Sequence, residues 1–494
     1  MRNLLISSLC WNVKVGHHEH METASETELK YDVPDGFELP DFAGEAGITS
    51  TGGAETHDLD ATYFDTDELT LLRHRRTLRR RSGGSDAGWH LKTPGEGFSR
   101  KEHRLPLNGT PDLVPSELAG LVRAIIRRQD LKPIARLRTH RVETPLKKAD
   151  GTTLALIAQD QVIAERDGQE QRWQEVEVEL VDGSPALLAK VGRLLERAGA
   201  RPAAGPSKVA RALGNPQPSK TTKTPKNPVL AYVREQRDAI TGFDPGVRQG
   251  QAEAVHKMRV GTRRLRSTLK TFKRSFGDAQ EIGDELKWLA DLLGEVRDGQ
   301  VQEQKLLAEI EDGDRFAPVA ARIREHLDAQ VERGRAALDE ALESERYLAL
   351  LDRIDRLAEQ QTTEKDLLKR ARKSLTKADA LLDQALADGI DHELHDARKA
   401  YKKARYAVEV FAPQAGKPGK QLVDALTDLQ DVLGAHQDSV VARELLEEIG
   451  QGSDDAFWFG VLYGRQEQVG AETHAQLPPV VEDSRKKKLR SWIG

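Results

Sequence analysis

The chain has 494 residues, 38% apolar and 31% charged, with 75 Lys and Arg against 80 Asp and Glu. That length calls for two to four domains, and the apolar share excludes a wholly disordered chain. No apolar run approaches the ~20 residues of a membrane span, and a single cysteine, Cys10, excludes a disulfide framework or a cysteine-built zinc site.

A reducing, cytoplasmic setting is therefore expected, with no membrane partner. Residues 1–23 read as an N-terminal extension without a signal-peptide pattern, and Met21 is a candidate start. From residue 24 to 214 the chain is strand-rich. Short runs such as Glu26–Lys30, Thr77–Arg81, Gly88–Lys92 and Trp173–Leu180 are separated by turn formers such as Ser82–Ser85 and Asn108–Gly109. Two helices interrupt them: one over Asp67–Arg76 after a cap-like Thr66, one over Pro185–Ala198.

Alternation puts charge on one face of these strands. Glu26, Glu28 and Lys30 share a face, as do Glu175, Glu177 and Glu179, while Val176, Val178 and Leu180 point the other way. Arg79 and Arg81 pair across one residue in the same manner. For one strand, a solvated sheet face explains this. Opposite signs on several strands point instead to a closed barrel with a charged lumen. Paired carboxylates suit a hard divalent cation, and clustered Arg and Lys suit phosphate oxygens.

Glu26-Thr-Glu-Leu-Lys30 resembles the ExExK signature of the CYTH, or triphosphate tunnel metalloenzyme, family. Tyr63–Thr66, Leu78–Arg81, Lys92–Pro94, Arg100–Glu102, Glu177–Leu180 and Ser207–Lys208 follow in that family's order. The resemblance implies an eight-stranded antiparallel barrel tunnel acting on triphosphate compounds with Mg²⁺ or Mn²⁺. It implies Glu26, Glu28, Asp160, Glu177 and Glu179 as metal ligands or water-orienting groups. Lys30, Arg79, Arg81, Lys92, Arg100 and Lys208 would hold phosphate, together with Arg138 or Arg141, of which Arg141 is favoured. Glu26, Glu28 and Lys30 form the catalytic set. One departure stands out: the family commonly has a carboxylate four residues before Asp160, and here that residue is Leu156.

Residues 215–228, rich in Pro, Lys, Thr and Ser, read as a linker. Residues 229–494 read as long amphipathic helices holding an internal repeat. His256, Arg259, Arg263, Arg264 and Arg266, then Leu293-Gly294 and Asp298, recur as His395, Arg398, Lys402, Lys403 and Arg405, then Leu433-Gly434 and Asp438. On a helical wheel His256, Arg259, Arg263, Arg266, Lys270 and Arg274 lie opposite Met258, Leu265, Leu269, Phe272 and Phe276. His395, Arg398, Lys399, Lys402 and Arg405 likewise oppose Ala397, Ala404, Val408 and Phe411.

This repeat resembles the CHAD, or conserved histidine α-helical, family. The resemblance implies two four-helix bundles binding inorganic polyphosphate in a basic cleft through the residues of both boxes. The combined expectation is a cytoplasmic, metal-dependent triphosphatase, with inorganic triphosphate the first-choice substrate, tethered to a polyphosphate-binding module and associated with polyphosphate granules. The alternatives are a non-catalytic polyphosphate scaffold and an adenylyl cyclase. Nucleic acid is not an expected partner, because overall charge is acidic and no aromatic platform lies among the basic residues.

Overall fold

The computed structural model describes residues 21–95, 99–166, 168–217, 225–308, 310, 316–360, 366–388 and 391–494. Residues 1–20 of the expected extension and 218–224 of the expected linker lie outside the described residues. The chain divides into two compact units, Met1–Thr221 and Thr222–Gly494. Among the described residues no helix is long and apolar enough to cross a membrane.

In chain order the first unit contains β1 (Glu22–Val33), β2 (Ser50–Thr51), β3 (Glu55–Asp65), α1 (Thr70–Arg73), β4 (Thr77–Ser82), β5 (Gly88–Pro94) and β6 (Ser99–Leu105). It continues with α2 (Ser116–Ile126), β7 (Lys132–Lys147), β8 (Thr153–Arg166), β9 (Gln169–Leu180), α3 (Pro185–Arg197), β10 (Arg201–Pro202) and α4 (Lys208–Ala212). The strands run in the order β1-β6-β5-β4-β3-β7-β8-β9, and β9 pairs back onto β1. Every pairing is antiparallel, so eight strands close into a barrel with no free edge.

Period-two alternation decides which face is which. Val176, Val178, Tyr31 and Ile157 pack outward on Leu187, Leu188, Val191 and Leu195 of α3. On another flank Leu78, Trp89 and Leu91 pack on Leu118, Leu121 and Val122 of α2. Each such fully buried side chain contributes about 1.5–3 kcal/mol. With the apolar parity spent on the outer helices, the charged parity faces inward. At one end α4 packs inside the wall, setting Val209, Ala210 and Ala212 against Tyr63, Leu137, Val162 and Ala164.

The helix expected over Asp67–Arg76 shrinks to Thr70–Arg73. Leu69 (φ 56°) and Arg75 (φ 58°) are left-handed, which breaks the helix on both sides. Its cap is also shared. Thr70 N donates to Thr66 Oγ1 at 3.1 Å, while Leu71 N and Leu72 N donate to the Asp65 carboxylate at 2.8 and 3.0 Å.

The second unit is helical. Its first copy holds α5 (Pro228–Arg248), α6 (Ala252–Thr271), α7 (Ala279–Ala308), α8 (Ala317–Glu343) and a further helix, α9 (Glu345–Glu359). Its second copy holds α10 (Leu367–Asp388), α11 (Asp391–Glu409), the short α12 (Ala412–Ala415), α13 (Lys417–Gly450), α14 (Ala456–Arg485) and α15 (Lys487–Arg490). Asn227 caps α5, accepting from Val229 N at 2.9 Å just ahead of Pro228. Met258, Leu265 and Leu269 of α6 are fully buried, as are Ala397, Ala404 and Val408 of α11. Arg274 falls off the α6 stripe, because α6 ends at Thr271 and a 3₁₀ turn carries Lys273–Ser275. Leu306, Ile323 and Leu327 share one apolar cluster with Ala442, Leu446 and Phe459, which joins the two copies.

Candidate functional site

Cross-strand register brings the inward residues together. Lys30 faces Glu177 and Glu28 faces Glu179 across β1 and β9, while Asp160 faces Arg141 in β7 and Glu175 in β9. Lys92 Nζ donates to Glu26 at 2.5 Å, and Lys30 bonds Glu177 and lies 3.3 Å from Glu28. Arg141 forks onto Asp160 at 2.8 and 2.7 Å and reaches Glu177 at 2.6 Å. Lys208, at the start of α4, contacts Asp160, Glu175 and Glu177 at 2.9, 2.6 and 2.7 Å. Arg100 lies 3.9 Å from Glu28, and Arg79 donates to the Tyr63 hydroxyl at 3.4 Å. Arg81 is buried against Asp86.

Burial and neighbouring charge set the protonation of these groups. Burial would raise Glu177, but Lys208, Lys30 and Arg141 outweigh it and hold the carboxyl well below its usual range. Burial likewise lowers Arg81, reinforced by Arg79 and Arg141, to about 9. Glu179 behaves differently. Burial, together with the nearby negative charge of Glu26 and Glu28, pushes it up to about 7. Its cross-strand neighbours are Glu28 on one side and Leu156 on the other, so Leu156 occupies the inward position beside it.

Two oxygen-donor groups result. Asp160, Glu175 and Glu177 bring ligand atoms within 4.8 Å of one another, but Lys208 and Arg141 already neutralise them. Glu26, Glu28 and Glu179 form the other; Lys92 pairs with Glu26 and Lys30 with Glu28, while among the described residues Glu179 forms no ion pair. An all-carboxylate set whose mutual repulsion helps raise Glu179 fits a hard divalent ion.

Sequence-expected residues and lumen largely coincide, with one correction. Arg138 lies on the outer face, 51% exposed and 3.3 Å from Glu170. It stands three positions before Arg141, so the two have opposite parity. Sequence reasoning missed three members. Glu102 is fully buried and accepts from His90 Nδ1 at 3.0 Å and from Arg104. Burial opposes its ionisation, but His90 and Lys92 prevail and hold it far below the carboxylate range. Glu175 accepts from Trp173 Nε1 at 2.7 Å, and Tyr63 receives Arg79. The signal was present: Arg100, Glu102 and Arg104 alternate, and Glu175 shares the Glu177 face.

In the helical unit the two basic helices meet. Burial, together with the charges of Arg263, Arg398 and Arg259, lowers Lys402 to about 7. Arg259 is paired with Asp298 at 2.7 Å, and Arg398 stands 3.7 Å from Asp438. Several of the other expected residues have partners of their own. Arg264 and Arg405 bind Glu409 at 3.1 and 2.9 Å, with Tyr232 donating to the same carboxylate at 2.6 Å. Lys399 is exposed beside Asp396, and Lys403 lies nearer Lys270 and Lys377. His395 bonds Gln437, His256 lies near Arg297, and Arg266 is half-buried. Burial lowers both histidines.

The CYTH domain family matches residues 24–213 and the CHAD domain family residues 231–447. The "Uncharacterized protein Rv2226" of Mycobacterium tuberculosis is 37% identical over 495 aligned positions, spanning 92% of this chain and 94% of its own. Among solved structures, PptA from Streptomyces chartreusis is 19% identical, covering 52% of this chain and 98% of its own at a TM-score of 0.45. The CHAD domain from the plant Ricinus communis is 26% identical, covering 52% of this chain and 91% of its own at a TM-score of 0.43. The chain belongs to the proteins in which a CYTH domain, a divalent-metal-dependent triphosphate tunnel metalloenzyme fold, precedes a CHAD domain.

Proposed function

We propose that the barrel is a cytoplasmic metal-dependent triphosphatase hydrolysing inorganic triphosphate to pyrophosphate and phosphate, and that the helical unit binds inorganic polyphosphate. The observation that carries this reading is the inward parity of Lys30, Arg79, Arg81, Lys92, Arg100 and Arg141, joined by Lys208 from α4, beside carboxylates in one closed barrel. Without ligand these charges neutralise one another. An entering triphosphate would take over the lysine and arginine donors and release Glu26 and Glu28 from Lys92 and Lys30. Glu26, Glu28 and Glu179 would hold Mg²⁺ or Mn²⁺, whose chemistry is charge neutralisation at phosphate oxygens. Arg79, Arg81 and Arg141 would spread over the chain and orient its terminal phosphorus toward a carboxylate-held water for in-line attack.

Phosphate release from inorganic triphosphate with each metal tests the proposal. Loss of release in Glu26→Ala, Glu28→Ala supports it, and equal release in that variant overturns it. Leu156 favours a second reading, since an alkyl group beside Glu179 removes a carboxylate from the metal face. A polyphosphate scaffold would then bind without releasing phosphate. Cyclic AMP formation from ATP would instead indicate a cyclase.

A further inference from the structure

Each helical copy carries a glycine and, one turn later, an aspartate: Gly294 with Asp298 in α7, Gly434 with Asp438 in α13. Neither glycine has positive φ, and both sit inside long helices, where glycine is destabilising relative to alanine. At Gly294 the use is space. A Cβ on Gly294 would stand 3.3 Å from Arg259 Nη2 and 3.6 Å from its Nε. At Gly434 the same atoms of Arg398 would be 3.7 and 3.9 Å away. In the first copy the aspartate holds the outer end. Arg259 Nη1 and Nη2 each donate to Asp298 at 2.7 Å. Arg398 Nη2 is 3.7 Å from Asp438, which also accepts from Lys305 at 2.5 Å.

Arg259, Arg263, Arg398 and Lys402 crowd one junction, and mutual repulsion would swing unrestrained side chains apart. We propose that Gly294–Asp298 is a cradle that positions Arg259 for a phosphate chain, and that Gly434–Asp438 is a looser copy of it beside Arg398. The glycine lets the guanidinium lie flat on the helix. The aspartate fixes its orientation while leaving other N–H groups for phosphate oxygens. This inference rests on the polyphosphate reading of the helical unit and adds the residues that set its geometry. The rival role for the aspartates is an internal counter-ion that only competes with phosphate.

The test is anisotropy of end-labelled long-chain polyphosphate with the full chain in EDTA, with the thermal midpoint recorded for each variant. Alanine at 294 forces the guanidinium to give by a few tenths of an ångström. It also improves helix propensity, so folding is protected. Gly294→Ala is expected to weaken binding about threefold, while Gly434→Ala, an ordinary contact, stays within about twofold. Asp298→Asn is expected to weaken it about fivefold. In an Arg259→Ala background neither Gly294→Ala nor Asp298→Asn should have further effect. Tighter binding by Asp298→Asn, or an equal Gly294→Ala loss without Arg259, overturns the cradle alone. No polyphosphate binding by the unsubstituted chain overturns both the cradle and the reading beneath it.

Discussion

Replacing Lys402 by arginine isolates one proton. Lys402 occupies the repeat position held by Arg263 in the other copy, and the structure brings both to one junction. Arginine stays charged at any working pH, whereas a crowded lysine does not. Burial and the charges of Arg263, Arg398 and Arg259 lower Lys402 to about 7, opposed by Asp438. A bound phosphate chain would return it toward its ordinary value of about 10, so binding takes up a proton above about pH 7. The sign follows directly. Affinity is greatest below about pH 7, where Lys402 is already charged, and falls as pH rises. Full coupling allows about tenfold per pH unit; because Lys402 is only half-buried, solvent screening reduces this to about tenfold between about pH 7 and pH 9. Titration calorimetry of long-chain polyphosphate in two buffers of different ionisation enthalpy measures both affinity and proton uptake. Lys402→Arg should bind at least as well, with a flatter profile and no uptake above about pH 7. A wild-type affinity independent of pH, or an equally steep profile in Lys402→Arg, would refute the argument.

The barrel supports two further expectations. Arg141→Ala should raise KM for triphosphate about tenfold or more, while Arg138→Ala, on the outer wall, should leave it within about twofold; steady-state phosphate release decides, and equal effects would contradict the parity assignment. Lys208→Met strands Asp160, Glu175 and Glu177 without their shared cation, at a cost of about 3–5 kcal/mol that urea unfolding at neutral pH would read. A loss under about 1 kcal/mol would mean that Arg141 alone suffices.

Much of this architecture was legible in the residues. Alternation such as Glu175, Glu177 and Glu179 against Val176, Val178 and Leu180 is local, and backbone pleating alone assigns its faces. Helical spacing separated Arg259 and Arg263 from Met258 and Leu265 in the same way. Register is not local. Parity could not choose between Arg138 and Arg141 until the β7–β8 ladder put Arg141 opposite Asp160. Glu102 became a site member only when closure set it against His90, Lys92 and Arg104. Leu156 stood out in the sequence as a departure, but only pairing showed that it lies beside Glu179. Among the basic residues, Arg264 belongs to the repeat box of Arg259 and Arg405 to the stripe of Lys402, yet Glu409 claims both. The sequence alone determined periodicity, sign and the order of motifs, because these follow from backbone geometry within one segment. The tertiary structure decided which charges meet, because hydrogen-bond ladders and helix packing between residues far apart in the chain set those distances.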